Sequence, residues 1–203
     1  MNTVAVADAS RVARIERNTL ETRILLEVNL DGGPVSVTTG VLFLDHMLDA
    51  LGRHGHFGID INCVGDAAMD PHHSVEDVGI ALGQAIREGL GDRRGIARYG
   101  FAYAPLDEAL ARVVVDCSGR PYLHFSAAMP EPVIGRDFAA SLVEEFWRAL
   151  VVNAGLTVHI DLIRSSNAHH AAEAIFKAGA LALRAAVTRT GATAVPSTKG
   201  MLA

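Results

Sequence analysis

The chain has 203 residues, half of them hydrophobic and a fifth charged, with a net charge of −5. That balance excludes a disordered chain and disfavours a nucleic-acid surface, which needs a basic excess. Two cysteines cannot build a disulfide framework, no apolar run is long enough to span a membrane, and the N-terminus lacks a secretory pattern, so a cytoplasmic protein is expected.

In chain order, residues 1–10 are small and polar and are expected to fray. Residues 11–17 read as a strand. Ile24, Leu26, Val28 and Leu30 alternate with Leu25, Glu27 and Asn29, the pattern of a strand with one apolar face. Asp31-Gly32-Gly33-Pro34 is turn chemistry, and Val35 and Val37 start a return strand. Phe43, Leu44, Met47, Leu48 and Leu51 follow a helical period. Ile59, Ile61 and Cys63 alternate again, and a polar loop over 65–71 leads into a helix over 72–90 with the stripe Val75, Val78, Leu82, Ile86. Gly91-Asp92-Arg93-Arg94-Gly95 is the clearest internal boundary. Beyond it the same order returns. Strands are expected over 98–104, 109–117 and 121–127, then a helix over 138–152, a strand over 156–163 and a helix over 169–188. The reading is an α+β chain of two βββαβα half-domains, 11–92 and 93–190, with a C-terminal tail over 191–203.

A shift of 169 − 72 = 97 places His72-His73 on His169-His170, Glu76 on Glu173 and Gly58 on Gly155 without a gap. Repetition of a whole His-His-x-x-Glu unit in matched supersecondary context is the mark of a duplication. Nine histidines against two cysteines direct any metal chemistry to nitrogen and oxygen ligands. On a helix, His72 and His73 both share a face with Glu76, while neighbouring histidines point about 100° apart. One helix start therefore cannot bring both histidines and the glutamate to one metal, but it can serve two. His46 lies on the helix upstream of the first unit, and the corresponding second helix carries Glu144 and Glu145. His54 and His56 read as surface, and His124 and His159 as structural. Arg93, Arg94 and Arg98 around Gly95, Arg120 in a Ser-Gly-Arg-Pro turn, and Lys199 in Pro196-Ser197-Thr198-Lys199-Gly200 are oxyanion contacts in search of an anion.

Several segments together resemble one family. They are Leu44-Asp45-His46-Met47-Leu48, His72-His73-Ser74-Val75-Glu76-Asp77, Asp107-Glu108-Ala109-Leu110, Asp116-Cys117-Ser118-Gly119-Arg120-Pro121, Asn167-Ala168-His169-His170 through Glu173, and Pro196-Ser197-Thr198-Lys199-Gly200. In order and spacing they are similar to imidazoleglycerol-phosphate dehydratase. The resemblance implies a duplicated fold of the ribosomal protein S5 domain 2-like kind, each half a four-stranded sheet with two helices on one side. It implies a hydro-lyase of histidine biosynthesis with two Mn(II) ions per active site, in a homo-oligomer of trimers assembled to a 24-mer whose sites lie between subunits. Carried over by position, the metal ligands are His46, His72, His73, Glu76, His169, His170 and Glu173. Glu145 stands where many members have His. Arg98, Arg120, Ser197 and Lys199 fall to the substrate phosphate, and Glu21 to the substrate and to acid–base work, with His72, Glu76, His170 and Glu173 at the catalytic centre. The implied chemistry has the substrate imidazole, as imidazolate, expel the C3 hydroxyl, while Glu21 or a metal-bound water removes the C2 proton. A dinuclear phosphate-ester hydrolase would use similar groups but release inorganic phosphate. A metal-storage protein would not need Glu21, Arg98 or Lys199. An RNA-binding module of this topology is disfavoured by the charge and the few aromatics.

Overall fold

A computed structural model describes residues 10–67, 69–200 and 202. The expected fraying of residues 1–10 thus lies, but for Ser10, outside the described residues. The elements are β1 (Val12–Asn18), β2 (Thr22–Asn29), β3 (Val35–Thr38), α1 (Leu42–Gly55), β4 (Gly58–Gly65), α2 (His72–Leu90), β5 (Tyr99–Leu106), β6 (Ala109–Asp116), β7 (Tyr122–Ser126), β8 (Val133–Ile134), β9 (Phe138–Ala139), α3 (Leu142–Ala154), β10 (Thr157–Arg164) and α4 (Ala168–Val187).

The order β1-β2-β4-β3 in the first sheet is repeated by β5-β6-β10-β7 in the second. In each, the third strand runs parallel to the fourth and the other pairs are antiparallel. The alternating apolar positions of β2, Ile24, Leu26 and Val28, turn inward and are buried, as are Ala111, Val113 and Val115 of β6. Each sheet lays its apolar face on the helices. α2 packs on β1 and β2, and α4 on β5 and β6. The helices then pack across the halves, α2 on α3 and α1 on α4, so one core runs through both repeats. Small residues allow this closeness: α4 buries eight alanines and Gly179 beside Ile175, Phe176, Leu183 and Val187.

The second half departs from the expected order at one place. The helix expected over 138–152 begins at Leu142, because Phe138 and Ala139 pair with Val133 and Ile134 in a short hairpin. Its strands have only two residues each, too short for any alternation to be read.

The gapless repeat also needs correction. α1 and α3 end in equivalent left-handed residues, His56 and Gly155, followed by matching N–H to carbonyl bonds from Phe57 to Gly52 and from Leu156 to Val151. Gly155 therefore corresponds to His56, not Gly58. The shift is 155 − 56 = 99 here and 97 at the histidine pairs. The difference of two lies between strand and histidine pair: six residues, 66–71, separate β4 from His72, against four, 165–168, between β10 and His169. The β-hairpins show a third offset: the pair Val12↔Asn29 matches Tyr99↔Asp116, a shift of 87.

Opposite ends of the chain meet at a seam. Arg11 is buried, pairs with Asp31 at 2.6 Å and donates from Nη1 to the carbonyl of Val187 at the end of α4. Arg184 donates to the carbonyl of Leu30 across the same seam. Residues 189–194, after α4, then run back along the start of the second half, where Ile96 bridges Arg189 and the Gly95 N–H donates to the carbonyl of Ala194.

Candidate metal centre

Both histidine pairs sit in the first turn of a helix, where an Asx side chain accepts backbone N–H groups, from the N-cap Asn167 in α4 and from Asp70, one residue before the N-cap Pro71, in α2. Asn167 Oδ1 accepts the backbone N–H groups of His169 and His170, and Asp70 accepts that of His72. The two pairs have nearly the same shape. The rings of His72 and His73 are 6.1 Å apart at 88°, and those of His169 and His170 are 6.2 Å apart at 88°.

The first histidine of each pair turns to its own glutamate. His169 Nε2 lies 3.3 Å from Glu173 Oε2, and His72 Nε2 lies 3.9 Å from Glu76 Oε2. The packing of α1 on α4 brings His46 Nε2 to 3.0 Å from the same Glu173 oxygen. Ligand atoms of His46, His169 and Glu173 all lie within 4.8 Å of one another. Two imidazole nitrogens and one carboxylate oxygen converging on one point form a donor set that fits a divalent first-row ion. Burial tends to raise the Glu173 carboxyl, but hydrogen bonds from Lys177, at 2.6 Å, and His46 outweigh it and hold it down at about 2, so it is a ready anion.

The other half carries matching residue types on α2 and α3, but among the described residues only His46, His169 and Glu173 gather this closely. Counting back ten residues from the left-handed helix ends, 56 − 10 = 46 and 155 − 10 = 145, makes Glu145 the counterpart of His46. Its carboxylate has no ion-pair or hydrogen-bond partner among the described residues. Glu144 is paired with Arg148 one turn on, as befits a solvated helix face.

The second histidine of each pair does not reach the glutamate. The expected contact of His73 with Glu76 is replaced by contacts to the loop and the hairpin tip. His73 Nδ1 bonds Asp66 Oδ2 at 2.9 Å, and Glu21 Oε1 lies 3.6 Å from its Nε2. His170 Nδ1 bonds Glu108 Oε2 at 2.8 Å. Both imidazoles are raised in pKa, His73 by its hydrogen bond to Asp66 and His170 by its hydrogen bond to Glu108, and the Glu108 carboxyl is lowered to about 2 by His170. Glu21 is held there by its hairpin. Buried Asp77 on α2 accepts from Arg17, at 2.6 and 2.9 Å, and from Thr19 and Thr22, and the Glu21 backbone N–H donates to Thr19 Oγ1.

Asp66, Asp77 and Glu108 escaped the sequence reading as site residues. Glu108 had a readable signal, since 21 + 87 = 108 makes it the repeat counterpart of Glu21, but only strand register reveals that offset.

The expected phosphate residues lie elsewhere. Arg98 precedes β5, whose other end leads to Glu108. Eight strand residues at about 3.3 Å each separate the two by roughly 26 Å. Arg98 grips Asp116 at 2.7 Å and the carbonyl of Pro196 at 2.7 Å, which fastens the tail carrying Ser197 and Lys199 beside it. Arg120 lies exposed in the turn before β7 at the same end. One chain therefore gathers the histidines and glutamates at one end and the phosphate candidates at the other. His54 and His56 are exposed as expected, whereas His124 and His159 face outward on neighbouring strands, 5.4 Å apart.

Comparison with known proteins gives a consistent picture. Residues 39–183 match the family model described as imidazoleglycerol-phosphate dehydratase. A protein of that name from Aromatoleum aromaticum is 56% identical over 195 residues, 95% of this chain and 100% of its own. One from Paracidovorax citrulli is 53% identical over 97% of this chain and 95% of its own. The crystal structure of the Staphylococcus aureus imidazoleglycerol-phosphate dehydratase is similar with a TM-score of 0.81 and 45% identity, covering 88% of this chain and 99% of that one. An IGPD structure from Pyrococcus furiosus is similar with a TM-score of 0.81 at 38% identity, covering 93% and 100%.

Proposed function

The chain belongs to the imidazoleglycerol-phosphate dehydratase family of hydro-lyases of histidine biosynthesis, and from that premise we propose that it dehydrates imidazole glycerol phosphate to imidazole acetol phosphate with two Mn(II) ions per site. The observation that carries the metal reading is the convergence of His46, His169 and Glu173; in the other half His72 stands 3.9 Å from Glu76, and Glu145 enters as the repeat counterpart of His46. His73 and His170, facing away from these clusters, are the ligands that complete sites on neighbouring copies. Bound there, the ions supply Lewis acidity and favour the deprotonated form of a ligand.

The remaining work falls to the chain itself. Glu21 stands 3.6 Å from Nε2 of His73, beside the nitrogen that would hold a metal, and takes the C2 proton. The hairpin clamp on Asp77 keeps it within reach. Arg98, Arg120, Ser197 and Lys199 bind the phosphate from another copy, since in one chain they are a strand's length from the metal residues. A homo-oligomer is supported by the outer face of the second sheet, where Tyr99, Phe101, Tyr103 and Tyr122 are all more than half exposed. We assign trimers assembled to a 24-mer.

The test is turnover of imidazole glycerol phosphate with Mn(II), read as an enolisable ketone and, in parallel, as inorganic phosphate. Ketone without phosphate is expected. Glu21→Gln is expected to lower kcat about 10²–10⁴-fold. Phosphate release without ketone would replace the dehydratase by the hydrolase reading, and full turnover by Glu21→Gln would remove Glu21 from the proton transfer.

A further inference from the structure

We infer that Asp66 and Glu108 are positioning residues, each fixing the second histidine of its half so that Nε2 is the nitrogen presented to a metal. This rests on the two-metal reading above. A carboxylate only accepts, so the Nδ1 atoms of His73 and His170, at 2.9 and 2.8 Å, must be the donors. That leaves Nε2 as the lone-pair nitrogen and fixes the plane of each ring. A carboxylate behind a ligating imidazole also makes it a stronger base toward a metal.

Two features distinguish this arrangement from incidental contact. It occurs in both halves, yet the carboxylates come from different places. In the second half it is Glu108, at the tip of the β5–β6 hairpin. In the first half the equivalent hairpin residue, Glu21, faces Nε2 instead, and the Nδ1 partner is Asp66, from the loop that is two residues longer after the repeat is aligned. The same bond has thus been kept by an unrelated residue. Second, Asp66 has little else to do. Its Oδ1 is buried and accepts nothing among the described residues, so His73 is its side chain's only hydrogen-bond partner there. Glu108 has a further task, because its Oε1 accepts from Ser165 Oγ and Ser166 N–H at 3.3 Å. A mere loop tie has to be separated from positioning.

Mn(II) titration of the assembled protein, with free ion read by electron paramagnetic resonance, makes the separation. The parent chain is expected to bind two ions. Asp66→Asn and Glu108→Gln are each expected to weaken one of the two by about 10–100-fold, and Ser165→Ala to leave both unchanged. Melting in chelator checks that each variant is folded, and Asp66→Ser and Glu108→Ser replace any amide variant that is not. Parent-like affinity in the folded variants overturns the inference while leaving the metal reading intact. Equal loss in Ser165→Ala reduces Glu108 to a loop tie and overturns its part. A parent chain that binds no Mn(II) overturns both.

Discussion

At the scale of single residues, the histidine pairs divide their labour by direction. His72 and His169 look along the helix to a glutamate one turn on, while His73 and His170 look sideways to a hairpin or loop. The first contact was legible in the sequence because helical spacing alone dictates it. The second was not, because Glu108 and His170 are 62 residues apart and meet only when the sheet folds over the helix. The Glu108–His170 pair has a measurable pH signature in metal-free protein. A carboxyl lowered to about 2 contributes stability above its usual 4.5 and loses it as pH falls toward 2. A raised imidazole contributes below its usual 6.5 and loses it as pH rises through the raised value. The melting-temperature gap between parent and Glu108→Gln is therefore expected to be widest between pH 4.5 and 6.5 and to close on either side. A gap that does not vary with pH would show that the pair does not couple.

Among elements, α4 shows how small residues set the spacing of the core. Gly100 on β5 faces it so closely that an added Cβ would lie 2.0 Å from the carbonyl oxygen of Ala182. Backbone cannot give way as a flexible side chain can. Gly100→Ala is expected to cost about 1–3 kcal/mol, read as a lower melting temperature at about 2–4 °C per kcal/mol. An unchanged melting point would mean that strand and helix separate freely there. The two four-stranded sheets and four helices were legible because their apolar periods run over four or more residues and burial rewards them. The β8–β9 hairpin was not, since Phe138 buries itself as well from a two-residue strand as from a helix. The repeat was legible at the histidines, where chemistry fixes the residues. Its other two offsets, 99 and 87, were hidden, because loops change length without disturbing the packed layers.

Across the whole molecule, the distance between the proposed metal residues and the proposed phosphate residues makes activity, on the proposed function, depend on assembly. Arg98 held by Asp116 and the tail at one end of β5, and Glu108 with His170 at the other, cannot act on one small substrate in one chain. Glu173→Gln and Lys199→Ala are each expected to be inactive alone. Co-expressed in equal amounts they should regain up to roughly a quarter of parent turnover, because mixed assemblies contain sites with both parts intact. No recovery in mixed particles would place both functions in the same copy.

The seam at Arg11 has a further meaning. The covalent link from α2 to β5 through Gly91–Gly95 and the non-covalent meeting of α4 with Arg11 are the same junction, made once with a peptide chain and once without. Geometrically the fold is a closed ring of two half-turns, opened at one of two equivalent points. Which half comes first is a matter of where the ring is cut, and a circularly permuted chain would meet itself at the same seam.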